Sequence, residues 1–111
     1  MLIRLIVPMT YWNADHAEKE GLDPISCYGL AIADIAGGFT ATQATGGWKD
    51  SSGNLVVEPV TVFDCAIADK GVLYNEGKVN CFRALAQRIA RELHQEVVYL
   101  QIDATVEFIS A

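Results

Sequence analysis

Two histidines, a pair of carboxylates on one strand and a set of aromatics outside the periodic segments are the residues of this chain whose types and spacing could do chemistry. His16 stands in the run Asp15-His16-Ala17-Glu18, where three side chains of metal-ligating type fall close together. Nearby spacing alone is a weak signal, the run reads better as a solvated polar loop, and no metal site is expected. His94 falls where a long helix ends, and a cation there interacts favourably with the helix dipole. Glu58 and Asp64 are an even number of residues apart on a strand and so share a face. Two carboxylates on one face can work as acid and base, or they can be the wet side of an arm. Tyr11, Trp12 and Tyr74 fall in loops, and Trp48 sits beside a pair of glycines. Aromatics in such places anchor interfaces or line ligand pockets, or else pack loops onto the core. Tyr11, Trp12, His16, Trp48, Asp64 and Tyr74 are therefore the candidate ligand- or partner-binding residues.

Other chemistries lack support. Gly37-Gly38 and Gly46-Gly47 do not form a G-x-x-x-x-G-K-S/T or G-x-G-x-x-G motif between a strand and a helix, so backbone geometry explains them better than phosphate binding. No Ser-His-Asp or Cys-His arrangement can be argued from the spacing. The three cysteines, Cys27, Cys65 and Cys81, are odd in number and show no C-x-x-C spacing, unlike a secreted disulfide framework. They read as buried structural thiols on two helices and a strand. No cofactor is expected.

The elements that must position these residues follow from punctuation and period. Leu2 to Val7 is a short apolar run closed by Pro8, as in a strand buried on much of both faces. Thr10 to Asp23 is a polar loop, in which Asn13 could cap a short helix ending at Glu20-Gly21. Asp23-Pro24 is a helix start, and Ile25, Tyr28, Ile32 and Ile35 give that helix one apolar stripe before Gly37-Gly38 ends it. Phe39 to Thr45 reads as a strand. Gly46-Gly47-Trp48 and the turn residues 49–54 lead into a long strand from Leu55 to Ala68, and the two strands form a hairpin. Pro59 inside the second strand implies a bulge or an arm reaching past the main sheet. A loop is expected to run from Asp69 through Lys78. Phe82, Leu85, Ala86, Ile89 and Leu93 then give the strongest helical period in the chain. Val97 to Ile102 is the last main strand, with room for a short extra one from Thr105 to Ile109.

The order is that of a single α+β domain spanning residues 1–111, a ferredoxin-like βαββαβ plait. Its four-stranded antiparallel sheet carries two helices on one face, and its β2–β3 hairpin is extended. The open face needs covering. With 51% hydrophobic and only 20% charged residues, the chain is expected to cover it by forming a homo-oligomer, a dimer or trimer. A net charge of −6 without a basic cluster argues against nucleic acid as a partner. The apolar run near the start is too short for a signal peptide and is broken by Arg4, and no stretch approaches a membrane span. A cytoplasmic protein that binds no membrane is expected.

Two segments resemble known proteins. Gly37-Gly38-Phe39-Thr40, Gly47-Trp48-Lys49-Asp50, Gly53 and Glu58-Pro59-Val60 resemble a G-G-x-T, G-x-W, G, E-P-V pattern of short uncharacterised bacterial and phage proteins. The run from Glu92 to Val98 is similar to their other common segment. That resemblance implies no activity and no catalytic residues. A looser fold-level likeness, in Phe39-Thr40-Ala41-Thr42 and Gly46-Gly47, is to PII- and CutA-type trimers, whose phosphate-binding basic residues are not evident here. The expected function is an oligomeric binding or regulatory module that holds a small molecule or a protein partner. The alternatives are a small enzyme of the dimeric plait type, or a phage- or plasmid-type inhibitor of a host protein.

Overall fold

The computed structural model describes residues 1–10 and 24–111. Tyr11, Trp12, His16, the short helix expected from Asn13 and the cap residue Asp23 lie outside the described residues. Within them the elements are β1 (Leu2–Pro8), α1 (Pro24–Ala36), β2 (Thr40–Lys49), β3 (Leu55–Ala66), α2 (Val72–Glu92), β4 (Val97–Ile102) and β5 (Thr105–Ser110). The strands form one antiparallel sheet in the order β2-β3-β1-β4-β5. The sheet thus has five strands rather than four. The added one, β5, follows a tight turn at Asp103-Ala104, where Asp103 takes a left-handed φ of 50°. Asp tolerates that conformation, but Asp-Ala lacks the glycine that marks a hairpin turn in sequence. Asp103 is also clipped to β1: its carboxylate accepts from the Leu2 amide at 2.8 Å and its own amide donates to the Leu2 carbonyl at 2.7 Å.

One face of the sheet carries both helices. Alternate residues of the central strand β1, Ile3, Leu5 and Val7, are fully buried with Phe63 and Cys65 of β3 and Val98 and Leu100 of β4. Tyr28 and Ile32 of α1 and Phe82, Leu85, Ala86 and Ile89 of α2 close over them. Each large side chain buried this way contributes about 1.5–3 kcal/mol. Of the apolar stripe expected on α1, Ile25 is the exception, standing 39% exposed at the first turn. Cys65 behaves as a core residue, and burial pushes its thiol up to about 11. Cys81 is exposed on α2, contrary to the expectation of a buried thiol.

The loop expected through Lys78 is instead helix: α2 begins at Val72. Its first turn exposes Val72 and Leu73, so no apolar period announces it. The start is held by Asp69, whose carboxylate accepts from the Gly71 amide at 3.0 Å and the Asn75 side chain at 2.9 Å. These bonds hold the Asp69 carboxyl below its usual range. Pro59 causes no bulge, because the β2–β3 register runs unbroken from Thr40↔Asp64 to Lys49↔Leu55. The hairpin does extend past the sheet. β1 stops at Pro8↔Val60, so Leu55–Pro59 and their partners project about 16 Å beyond it.

Candidate functional site

The projecting hairpin leaves a notch at the end of the sheet where β1 stops. One wall is the hairpin, with Trp48 and Glu58. The floor is Ile6, Pro8 and Val60, and the other wall is the segment from His94 to Tyr99 together with Phe108. This cleft has a volume of about 640 Å³ and runs on into a shallower groove lined by Thr10, Trp48, Val56, Glu58 and His94.

The register explains why these side chains meet. Partners across antiparallel strands project from the same face. On the face away from the helices one row is therefore Val62-Ile6-Tyr99-Phe108, and further along Glu58 lies opposite Gly46 and Val56 opposite Trp48. Strand β2 offers only the small residues Ala44 and Gly46 before Trp48, so a low strip of the strand, flanked by Val60, runs up to the indole. A Cβ added at Gly46 would come within 3.1 Å of Val60 Cγ1. Trp48 is 47% exposed and Phe108 65%. Phe108 meets Tyr99 edge-on at 5.9 Å, and the Tyr99 hydroxyl donates to Gln101 at 2.8 Å. Glu58 is half-buried and accepts a hydrogen bond from the Thr10 hydroxyl at 2.7 Å.

The charge of the cleft is one-sided. Glu58 and Glu96 are its acidic residues, and among the described residues lining it there is no lysine or arginine. Three aromatic rings beside two carboxylates suit an organic cation, which is attracted to the ring faces and to the negative charge. Among the described residues no cluster of three or more His, Cys, Asp or Glu could hold a metal ion. No helix among them is long and apolar enough to cross a membrane.

The sequence-predicted residues scatter around this site. Trp48 is in the cleft. Asp64 does share the open face with Glu58, but six residues of strand, about 20 Å, separate them, too far for a joint acid–base role. Asp64 instead forms a two-pronged ion pair with Arg4, at 2.8 and 3.2 Å, near a small pocket of about 280 Å³ that includes Gln101 and Asp103. Tyr74 lies on the first turn of α2, not in a loop, with the Lys70 and Lys78 ammonium groups 5.2 and 5.4 Å from its ring centre. Tyr11, Trp12 and His16 lie outside the described residues, although they follow in the chain from Thr10. Tyr99, Phe108 and Glu96 escaped the sequence reading. The alternation of β4 and β5 could have placed the two aromatics on one face, had β5 been counted as a strand.

No protein-family model matches the chain, and no curated protein matches it in sequence. Solved structures do match. A phage SAM lyase in complex with S-methyl-5′-thioadenosine aligns over 99% of this chain and 88% of its own, with a TM-score of 0.63 and 20% identity. A phage SAM lyase in the apo state aligns over the same shares with a TM-score of 0.53 and 20% identity. At such identity the likeness is one of fold. These fold relatives are enzymes that process a small molecule. That finding overturns the non-enzymatic binding or regulatory module in favour of the small-enzyme alternative.

Proposed function

We propose that the protein is a small lyase acting on a sulfonium nucleoside of the S-adenosylmethionine type in the cleft between the hairpin arm and β4–β5. The observation that carries this reading is the cleft's lining: Trp48, Tyr99 and Phe108 beside Glu58 and Glu96, with no basic counterpart among the described lining residues except His94. The fold shared with a lyase of that substrate supports it. So does the small size of Gly46 in the cleft lining, which keeps bulk away from the approach to the indole. The strand order β2-β3-β1-β4 supports describing the domain as a ferredoxin-like plait with β5 added at its edge.

In such a cleavage the electron pair of a carbon–sulfur bond passes to sulfur, and the cationic sulfonium becomes a neutral thioether. The carbon gains its replacement bond from within the substrate, either to the substrate's own carboxylate oxygen or as a carbon–carbon double bond with loss of a neighbouring proton. The positive charge on sulfur fades in the transition state. Attraction to Glu58 therefore holds the substrate at least as strongly as the transition state, and Glu58 acts chiefly in binding. The test is to incubate the purified protein with S-adenosylmethionine and follow 5′-methylthioadenosine by mass-coupled chromatography. Release of that product is expected, with KM raised more than kcat is lowered in Glu58→Gln. Neither product nor any binding of 5′-methylthioadenosine would refute the assignment.

We propose further that copies of the chain cover the open face. Leu2, Val97, Val106 and Phe108 stand exposed on it, an arrangement that favours burial against another apolar surface. The cleft opens on the same face, so a neighbouring copy would help to close it. Native mass spectrometry is expected to show a dimer or trimer, and a bare monomer at micromolar concentration would sink this part.

A further inference from the structure

The end of α2 is built on a residue that the local geometry disfavours. Leu93 caps the helix, the Gln95 amide donates to the Ala90 carbonyl at 2.8 Å, and the His94 amide reaches Arg91 at 3.4 Å. This is the Schellman pattern, in which the residue after the cap turns left-handed and is usually glycine. Here that residue is His94, at φ 52°. A side chain with a Cβ in that conformation costs on the order of 1 kcal/mol. The turn is also tied by the Gln95 side chain, which donates to the Leu93 carbonyl at 3.1 Å. Held this way, His94 lines both the cleft and the groove that continues it. Strained residues that persist in a site are often there for the site's function.

The electrostatic setting says what His94 can do. Glu58 faces the cleft from β3, Glu96 lies on the same turn as His94, Tyr99 follows on β4, and Arg91 and Glu92 end α2. Arg88 is paired with Glu92 at 3.1 Å. Glu58, Glu96 and the carbonyl end of α2 place negative charge on the side of the cleft that His94 lines. Among the described residues lining the cleft, His94 is the one that can become cationic. An amino-acid substrate brings a carboxylate as well as its cation, and that carboxylate would be repelled by Glu58 and Glu96.

Resting on the reading of the site as one for a sulfonium nucleoside, we propose that His94 is a specificity residue. Its imidazolium donates a hydrogen bond to the substrate's α-carboxylate, so the cleft prefers the full amino-acid sulfonium to analogues that lack the carboxylate.

The experiment compares three ligands with the wild type and with His94→Asn, which tolerates the left-handed turn and removes the imidazolium. The ligands are S-adenosylmethionine, its decarboxylated analogue and 5′-methylthioadenosine. The wild type is expected to favour S-adenosylmethionine over the decarboxylated form by about tenfold or more, the range of one hydrogen bond between charged groups. His94→Asn is expected to lose that preference while keeping its melting temperature and its affinity for 5′-methylthioadenosine. An unchanged preference in a folded His94→Asn that still binds 5′-methylthioadenosine would overturn the role of His94 alone. A wild type that binds none of the three would overturn the functional reading on which it rests.

Discussion

Replacing Gly46 by alanine separates folding from binding in one substitution. Gly46 lies inside β2 opposite Glu58, on the strip that leads to Trp48. Alanine in a strand interior gains roughly 0.5–1 kcal/mol over glycine, because less backbone entropy is lost on folding. Against this, the new Cβ would sit 3.1 Å from Cγ1 of Val60, which is 7% exposed, and Val60 must yield by a few tenths of an ångström. That crowding costs on the order of 1 kcal/mol, the low end for overfilled sites. The two effects nearly cancel, and the melting temperature should move by no more than about 4 °C. Binding has no such compensation. The methyl group stands on the strip where a flat ring would lie, and overfilling by one methyl costs about 1–3 kcal/mol, roughly 5- to 150-fold in affinity. Thermal unfolding measures the first quantity and calorimetric titration with 5′-methylthioadenosine the second. Gly47→Ala is the control, since its Cβ would point to the other side of the strand and meet Leu55 Cδ1 at an ordinary 3.7 Å. Affinity within twofold of wild type in Gly46→Ala would refute the placement of the ring on this strip. A loss as large in Gly47→Ala would refute the facing argument.

Two further predictions concern stability. Alanine for glycine in a helix gains about 1 kcal/mol, so Gly77→Ala, with nothing within 4 Å of the new Cβ, should raise the melting temperature, whereas Gly29→Ala should lower it because its Cβ would meet the Phe39 ring at 2.8 Å. Equal shifts of the same sign in thermal scans would show that Phe39 moves aside freely. Arg83 grips Glu107 through two bonds of 2.9 and 2.8 Å and so ties α2 to β5. The grip lowers the Glu107 carboxyl below its usual value of 4.5. A lowered carboxyl contributes stability above the unfolded-state value and loses it as pH falls through the folded-state one. Arg83→Ala should therefore cost up to about 1 kcal/mol at pH 7, in keeping with a partly exposed pair, and the gap to wild type should close as pH falls below about 4.5. A gap that stays constant down to pH 3 would show that the pair contributes nothing.

Much of this architecture is legible in the chain because local chemistry and tertiary packing agree. The alternation of Phe63, Cys65 and Ile67 and the 3.6-residue period from Phe82 to Leu93 bury the face their spacing implies, whereas the run Leu2–Val7, expected to be buried on much of both faces, buries only Ile3, Leu5 and Val7 and leaves Leu2 exposed. Gly37, at φ 86°, ends α1 because only a residue without a Cβ takes that turn freely. Legibility fails where the deciding contact is distant in sequence. The start of α2 exposes Val72 and Leu73 and depends on the side-chain bonds of Asp69. β5 is a short edge strand whose tight turn lacks glycine. The candidate site follows the same division. Trp48, Glu58 and His94 can be named from residue type, and the even spacing of Glu58 and Asp64 does put them on one face. Their grouping depends on register: pairing of β1 with β3 and β4 brings Ile6, Tyr99 and Phe108 into one row, and the early end of β1 opens the notch between Glu58 and His94. Periodicity reports which way a side chain faces relative to its own strand or helix. Which residues face one another across a cleft is set by strand order and strand ends, which are properties of the assembled sheet.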